Sequence, residues 1–273
     1  MPSFIRDEGI VIKELHIFYL LDVSGSMKGT AIAQLNQGIR STMSALRQKL
    51  GDSNDAHLSI SIMRFASSAE WITGTPGSRY SEYIEDFIDI PDLEAGGMTC
   101  LGSALQLLEK GLSRNSMLYS PTGNRRPIII IMTDGLPTDD WKSAFKSIQK
   151  NHWFQQSTRI GIALGDQADG DMLSELVGSS EGVMCVTDIS LFAQMLVNVS
   201  VSSSLANSNS IIMPPEPEGK QGFSADFYGN FGPFQRKKTP TVTNKDTVGE
   251  SETIPIPNPS VLVIDPFDDQ SLE

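Results

Sequence analysis

The chain has 273 residues, with 33 Asp and Glu against 21 Lys and Arg and a formal net charge of −12. That balance excludes a nucleic-acid surface, which needs clustered Lys and Arg to neutralise phosphates, and it disfavours anionic membranes. The length allows one sizeable core and at most about one and a half domains, two cysteines (Cys100 and Cys185) are too few for a disulfide framework or a zinc cluster, and no apolar run reaches the ~18 residues of a spanning helix.

The amino-terminal stretch MPSFIRDEGIVIKEL is broken by charges and lacks the basic-then-apolar order of a signal peptide, so a cytoplasmic location is expected. ELHIFYLLD (14–22) predicts the first strand. TAIAQLNQGIRSTMSALRQKL (30–50) predicts a helix, with apolar residues at 32, 35, 39, 43, 46 and 50 forming one buried face and Gly51 as its stop. HLSISIMRF (57–65) alternates as a strand does, and AEWIT (69–73) follows closely enough to pair with it antiparallel. A long loop spans 74–98, ending at Gly96-Gly97. A helix over 102–113 is followed by a strand over 126–133, and Asp139-Asp140 suit the positive end of the next helix. Strand 159–165, helix 171–178, strand 183–186 and helix 188–202 complete the alternation. That order implies an α/β fold: a doubly wound, mainly parallel sheet with helices on both faces and one antiparallel edge strand.

Three segments carry chemistry. LLDVSGSM (20–27) ends the first strand with Asp22, Ser24 and Ser26 on a Gly25-containing turn. Three oxygen side chains at that spacing suit a hard divalent cation; taken alone, the same run also reads as a helix amino-terminal cap. In GGMTCLGSAL (96–105) a glycine pair delivers Thr99 just ahead of a helix. IIIIMTDGLPTD (128–139) is too apolar for a half-exposed strand, marks a central parallel one, and ends in Asp134-Gly135. Ligands of open α/β sheets gather beyond the carboxyl ends of strands, where Asp22 and Asp134 both fall.

In this order the three segments resemble the metal-ion-dependent adhesion site of von Willebrand factor A domains. The resemblance implies a Rossmann-like vWA domain and five metal ligands: Asp22, Ser24, Ser26, Thr99 and Asp134. It implies Mg²⁺ as the cofactor, with Mn²⁺ or Ca²⁺ as alternatives. It also implies an open coordination position for an Asp or Glu carboxylate from a protein partner. The phrases GGMTCLGSAL, RRPIIIIMTDGLPTDDW and IGIALGDQADGDML are similar to the bacterial TerY-type branch, cytoplasmic proteins associated with tellurium resistance. Members of that branch occur beside a protein kinase and a PP2C-type phosphatase in stress-response or defence systems.

An enzyme is not expected. A haloacid-dehalogenase phosphatase needs a DxD pair, and Val23-Ser24 stand where the second Asp would fall. His16, His57 and His152 lie away from the three segments and offer no general base. A metal-indifferent scaffold and a Mg-dependent phosphohydrolase are the competing readings. The vWA-like region is expected over 10–204. Beyond it, 205–273 reads as a Pro-rich, acidic, irregular tail, with nine of the fifteen prolines and ten acidic against five basic residues. Within that tail PSVLVIDPFDD (259–269) reads as a docking segment, and Ser and Thr at 239, 241, 243, 247, 251 and 253 as phosphorylation candidates.

Overall fold

The computed structural model describes residues 13–50, 56–74, 80–164, 168–186, 197, 198 and 200. The 204/205 boundary, the 205–273 tail with its docking and phosphorylation segments, and most of the 188–202 helix lie outside the described residues.

Two strands are apolar on both faces, and this decides the architecture. In β1 (Lys13–Asp22) every residue after Lys13 is buried, and in β5 (Ile128–Thr133) all are. Only a strand covered by helices on both sides can carry such a run. Leu15, Ile17, Tyr19 and Leu21 of β1, with Ile128, Ile130 and Met132 of β5, face Leu35, Ile39, Met43 and Leu46 of α1 (Thr30–Leu50). Phe18, Leu20, Ile129 and Ile131 face the other way, onto α2 (Leu101–Gly111) through Leu101, Ala104, Leu105 and Leu108. Each such Leu or Ile, fully buried, contributes ~1.5–3 kcal/mol, which makes these two layers the main source of stability.

The remaining strands are β2 (Ala56–Phe65), β3 (Ala69–Trp71), β4 (Glu82–Tyr83), β6 (Thr158–Leu164) and β7 (Val183–Val186). Sheet order is β3-β2-β1-β5-β6-β7, with β4 also on β2. β1, β2, β5, β6 and β7 run parallel, while β3 and β4 pair antiparallel to β2. β3 is thus the antiparallel edge expected from AEWIT. β4 is an addition, hidden in the 74–98 loop because two residues show no periodicity. The chain winds outward from β1 in both directions, through β2 on one side and β5 on the other. Register pairs Leu21 with Met132, so Asp22 and Thr133 end at the same level on either side of this reversal.

The helix expected near Asp139-Asp140 divides into α3 (Trp141–Ile148) and α4 (His152–Gln156). Asn151 causes the break: its side chain accepts from the amides of Trp153 and Phe154 and starts a new helix. β5 begins at 128 rather than 126 because Pro127 has no N–H for the ladder, though its carbonyl accepts from the Thr158 amide at 2.9 Å. α5 (Gly170–Val177) ends on Gly178, which takes the left-handed conformation at φ 88°.

Among the polar side chains buried in this core is a histidine. His16 is 1 % exposed, stacks on Phe18 at 4.1 Å, and shares a 2.8 Å hydrogen bond with the Ser61 hydroxyl. Ser61 Oγ itself donates to the Tyr80 carbonyl, so Nε2 of His16 is the donor of that bond. Burial pushes its pKa down from 6.5 to about 3. A depressed histidine stabilises the fold fully above its unfolded value and loses that contribution as pH falls towards the folded one. Urea unfolding should therefore show a stability loss between pH 6.5 and about 3 that His16→Gln reduces relative to wild type.

Candidate metal centre

Asp22, the last residue of β1, is a carboxylate only 1 % exposed. Its neighbours hold it. Oδ2 accepts from the Thr133 hydroxyl at 2.6 Å and Oδ1 from the Ser24 amide at 2.8 Å. The chain then turns through a single 3-10 turn at Gly25–Met27, anchored by Met27, which is fully buried against the α1 side of the core. This turn brings Ser24 and Ser26 hydroxyls to 3.0 Å of one another, and Ser26 Oγ donates to Asp134 Oδ1 at 2.7 Å. Four of the five expected ligands are linked by these contacts. The fifth, Thr99, lies across Gly135: a side chain at Gly135 would place its Cβ 3.8 Å from both the Ser26 and Thr99 hydroxyls. The five residues therefore lie around one space.

Backbone bonds fix the loops that carry them. The Gly96 amide donates to the Val23 carbonyl at 2.8 Å and the Gly25 amide to the Gly97 carbonyl at 3.0 Å, joining the loop before α2 to the turn after β1. Gly97 has φ 82°, and a Cβ there would fall 2.5 Å from Ser67 Oγ, so the glycine is required for both conformation and space. Ser67 Oγ accepts from the Met98 amide, and the Ala66 carbonyl accepts from the Cys100 amide. On the other side the Thr138 amide donates to the Thr99 carbonyl at 2.9 Å, and Thr138 Oγ1 accepts from the Thr99 amide at 3.2 Å.

Asp139 corrects the sequence expectation. Asp140 alone caps α3, accepting from Ser143. Asp139 instead reaches across to α2, where its two oxygens accept from the Gly102 and Ser103 amides at 3.0 and 3.1 Å. The loop after β5 is thereby clamped to the start of α2, which sets Asp134 relative to Thr99. Gly102 leaves room for the clamp, since a Cβ there would sit 2.8 Å from Asp139 Oδ2 and 3.1 Å from Trp141 Cα. Thr133 and Thr138 are the supporting residues that sequence reasoning missed. Their roles depend on register and loop docking, and the only local signal is their position next to a strand-end Asp and a helix-capping one.

The site carries two acids, and neither is in an ion pair among the described residues. Burial raises the Asp22 pKa; hydrogen bonds from Thr133 and Ser24 oppose that, and the Asp134 charge adds to it. Ion pairs among the described residues include Arg40 with Asp89 and Asp92, and Arg64 with Glu70, none of which involves one of the five site residues. No group of three or more His, Cys, Asp or Glu among the described residues could hold an ion, so a cation here must rely on hydroxyls as well as carboxylates. Two carboxylates and three hydroxyls from three loops, around space left by Gly135, fit a hard divalent ion that prefers oxygen ligands and keeps some water.

Residues 17–136 match the von Willebrand factor type A domain family. Among curated proteins no sequence matches. Similar solved structures include a von Willebrand factor type A protein from Catenulispora acidiphila, at 16% identity and TM-score 0.53, covering 71% of this chain and 43% of that one. Proximal thread matrix protein 1 from the mussel byssus, in a structure with a zinc-occupied MIDAS motif, is 15% identical at TM-score 0.52, covering 69% and 48%. The pilus adhesin SpaC from Lactobacillus rhamnosus GG is 12% identical at TM-score 0.52, covering 70% and 30%. At such identities these likenesses concern the fold, and the chain spans less than half the length of each.

Two expectations follow from the geometry. A carboxyl whose pKa is raised by folding carries its full charge penalty above the folded pKa and none below the unfolded value of 3.8. In EDTA, Asp22→Asn should therefore be more stable than wild type at pH 7 in chemical unfolding, and the gap should shrink as pH falls through the raised pKa. Gly102→Ala should displace the Asp139 clamp, lower stability by ~1–3 kcal/mol, and weaken divalent-ion binding in calorimetry although no ligand is removed.

Proposed function

We propose that this von Willebrand factor type A domain is a metal-dependent protein-binding module, non-catalytic, in which Asp22, Ser24, Ser26, Thr99 and Asp134 hold a divalent ion, Mg²⁺ by preference. The observation that carries the reading is the convergence of two carboxylates and three hydroxyls at the strand-order reversal, with neither carboxylate in an ion pair among the described residues. A bound ion would act as an electrophile able to take an acidic side chain. Ser24, Ser26 and Thr99 contribute neutral oxygens, so the protein supplies at most two negative charges and leaves the ion attractive to a third. Thr133 and the Ser24 amide orient the Asp22 carboxylate; the Asp139 clamp holds Asp134 and Thr99 together. The zinc-occupied motif of the byssus protein is in keeping with a divalent ion at this place in the fold.

The surroundings support binding over hydrolysis. His16 lies buried towards the amino-terminal half of β1, His57 at the start of β2 beside Tyr83, and His152 at the start of α4 beside Trp153. Asp139, in the loop after Asp134, is engaged by two amides. Among the described residues no histidine and no free acid in that loop stands as a general base at the site, which favours binding. A cytoplasmic location is part of the proposal, in keeping with the TerY-like phrases. Separately, no helix among the described residues is long and apolar enough to cross a membrane. The TerY-like phrases further suggest an adaptor or scaffold in a bacterial stress-response or defence system, with a Ser/Thr kinase and a PP2C-type phosphatase as partners.

The test is a pull-down from native-host lysate with wild type in Mg²⁺, wild type in EDTA, and Asp22→Ala in Mg²⁺. A partner retained only in the first sample is the expected result. A partner held equally in all three makes the domain a metal-indifferent scaffold, and Mg²⁺-dependent phosphoester hydrolysis abolished by Asp22→Ala makes it an enzyme.

A further inference from the structure

Four large apolar side chains are conspicuously exposed among the described residues: Ile88, Met98, Tyr119 and Leu136. Ile88 lies along α1, between the Phe87 carbonyl bonded by Arg47 and the Asp89 carboxylate bonded by Arg40. Tyr119 lies in the segment leading into β5, at the opposite end of the sheet from the metal centre. The other two flank that centre. Met98, 57% exposed, immediately precedes Thr99, and Leu136, 63% exposed, follows Gly135, whose missing side chain opens onto the Ser26 and Thr99 hydroxyls.

Nothing about the fold requires apolar residues there. Both are held in place by their loops: the Met98 amide donates to Ser67 Oγ, and Leu136 stands between Gly135 and Pro137, in a loop pinned by Thr138 to Thr99. Exposed apolar side chains fixed around a polar centre resemble the core of a protein interface, where a desolvating rim strengthens a central polar contact.

We propose that Met98 and Leu136 form an apolar rim to the metal centre, and that its partner is a protein segment whose metal-binding Asp or Glu is flanked by large apolar side chains. The proposal rests on the reading of the site as a carboxylate-capturing centre and narrows the class of partner. Charge argues in the same direction. The chain has a net charge of −12, and the acids Glu94 and Asp140 are exposed in the two loops that carry the rim. A polyacidic segment would be repelled at every position except the one that meets the ion. One acid among apolar neighbours avoids that repulsion and covers the rim.

The experiment selects short peptides carrying a fixed central Asp or Glu and randomised flanks on the full chain in Mg²⁺, with elution by EDTA. Expected are peptides enriched in Leu, Ile, Met or Phe beside the acid and depleted in further acids. The Met98→Ser/Leu136→Ser double variant should bind the selected peptide roughly tenfold more weakly, with its Mg²⁺ affinity in calorimetry unchanged. Flanks without apolar preference, or a double variant that binds as wild type does, overturn the rim while leaving the metal reading intact. Mg²⁺ uptake with no acidic peptide retained, or no Mg²⁺ uptake at all, overturns both.

Discussion

A carboxylate buried at the end of the central strand is the constraint around which this domain is arranged. Asp22 is almost wholly withdrawn from water, and a charge so placed is costly unless hydrogen bonds and an opposite charge compensate it. The Thr133 hydroxyl and the Ser24 amide supply the first part of that compensation. The Ser24 bond is local, whereas Thr133 reaches Asp22 because β1 and β5 are adjacent, with Leu21 paired to Met132 one residue before each strand ends. The site thus depends on the two-faced apolar runs of β1 and β5, which force a parallel pair covered by helices on both sides.

Around Asp22 the loops constrain one another. The turn at 23–25 is bonded to Gly96 and Gly97, the loop at 98–100 to Ala66 and Ser67, and the loop at 138–139 to Thr99 and α2. Most of these bonds involve backbone atoms, so they tolerate change in side chains while fixing where three segments meet. Glycines at 97 and 102 are where the loops approach too closely for a Cβ. A rigid ring of this kind reduces the ordering needed when an ion or a partner binds, which is how preorganisation gains affinity.

Much of this was legible in the residues. The two-sided apolar strands, the helical spacing of α1, and the oxygen-bearing segments at strand ends all express local rules, and the structure places Asp22, Ser24, Ser26, Thr99 and Asp134 together accordingly. What was not legible depends on contacts between distant segments. Asp139 sits directly before α3 in sequence, so capping that helix was the natural expectation; only docking of the loop onto α2 redirects it. Thr133 looked like the last residue of a strand, and its partner became evident from the register of β1 against β5. The two-residue β4 and the Asn151 break between α3 and α4 are too short to produce a period. Met98 and Leu136 looked ordinary because apolar residues in a loop signal nothing until their exposure is known.

The wide sequence separation of the site has a consequence for how the protein comes into being. Residues 22–26, 96–100 and 133–139 meet where β1 pairs with β5, so no short fragment of the chain can present the site. The centre is built from contacts of long sequence separation, which are costly in loop closure. An ion that recognises only the completed arrangement has no foothold on a partly folded chain, and its whole binding energy then favours the finished domain, by about 2.7 kcal/mol at a hundredfold excess over its Kd. On the metal-dependent reading proposed above, ion occupancy would thereby mark the molecules that have finished folding.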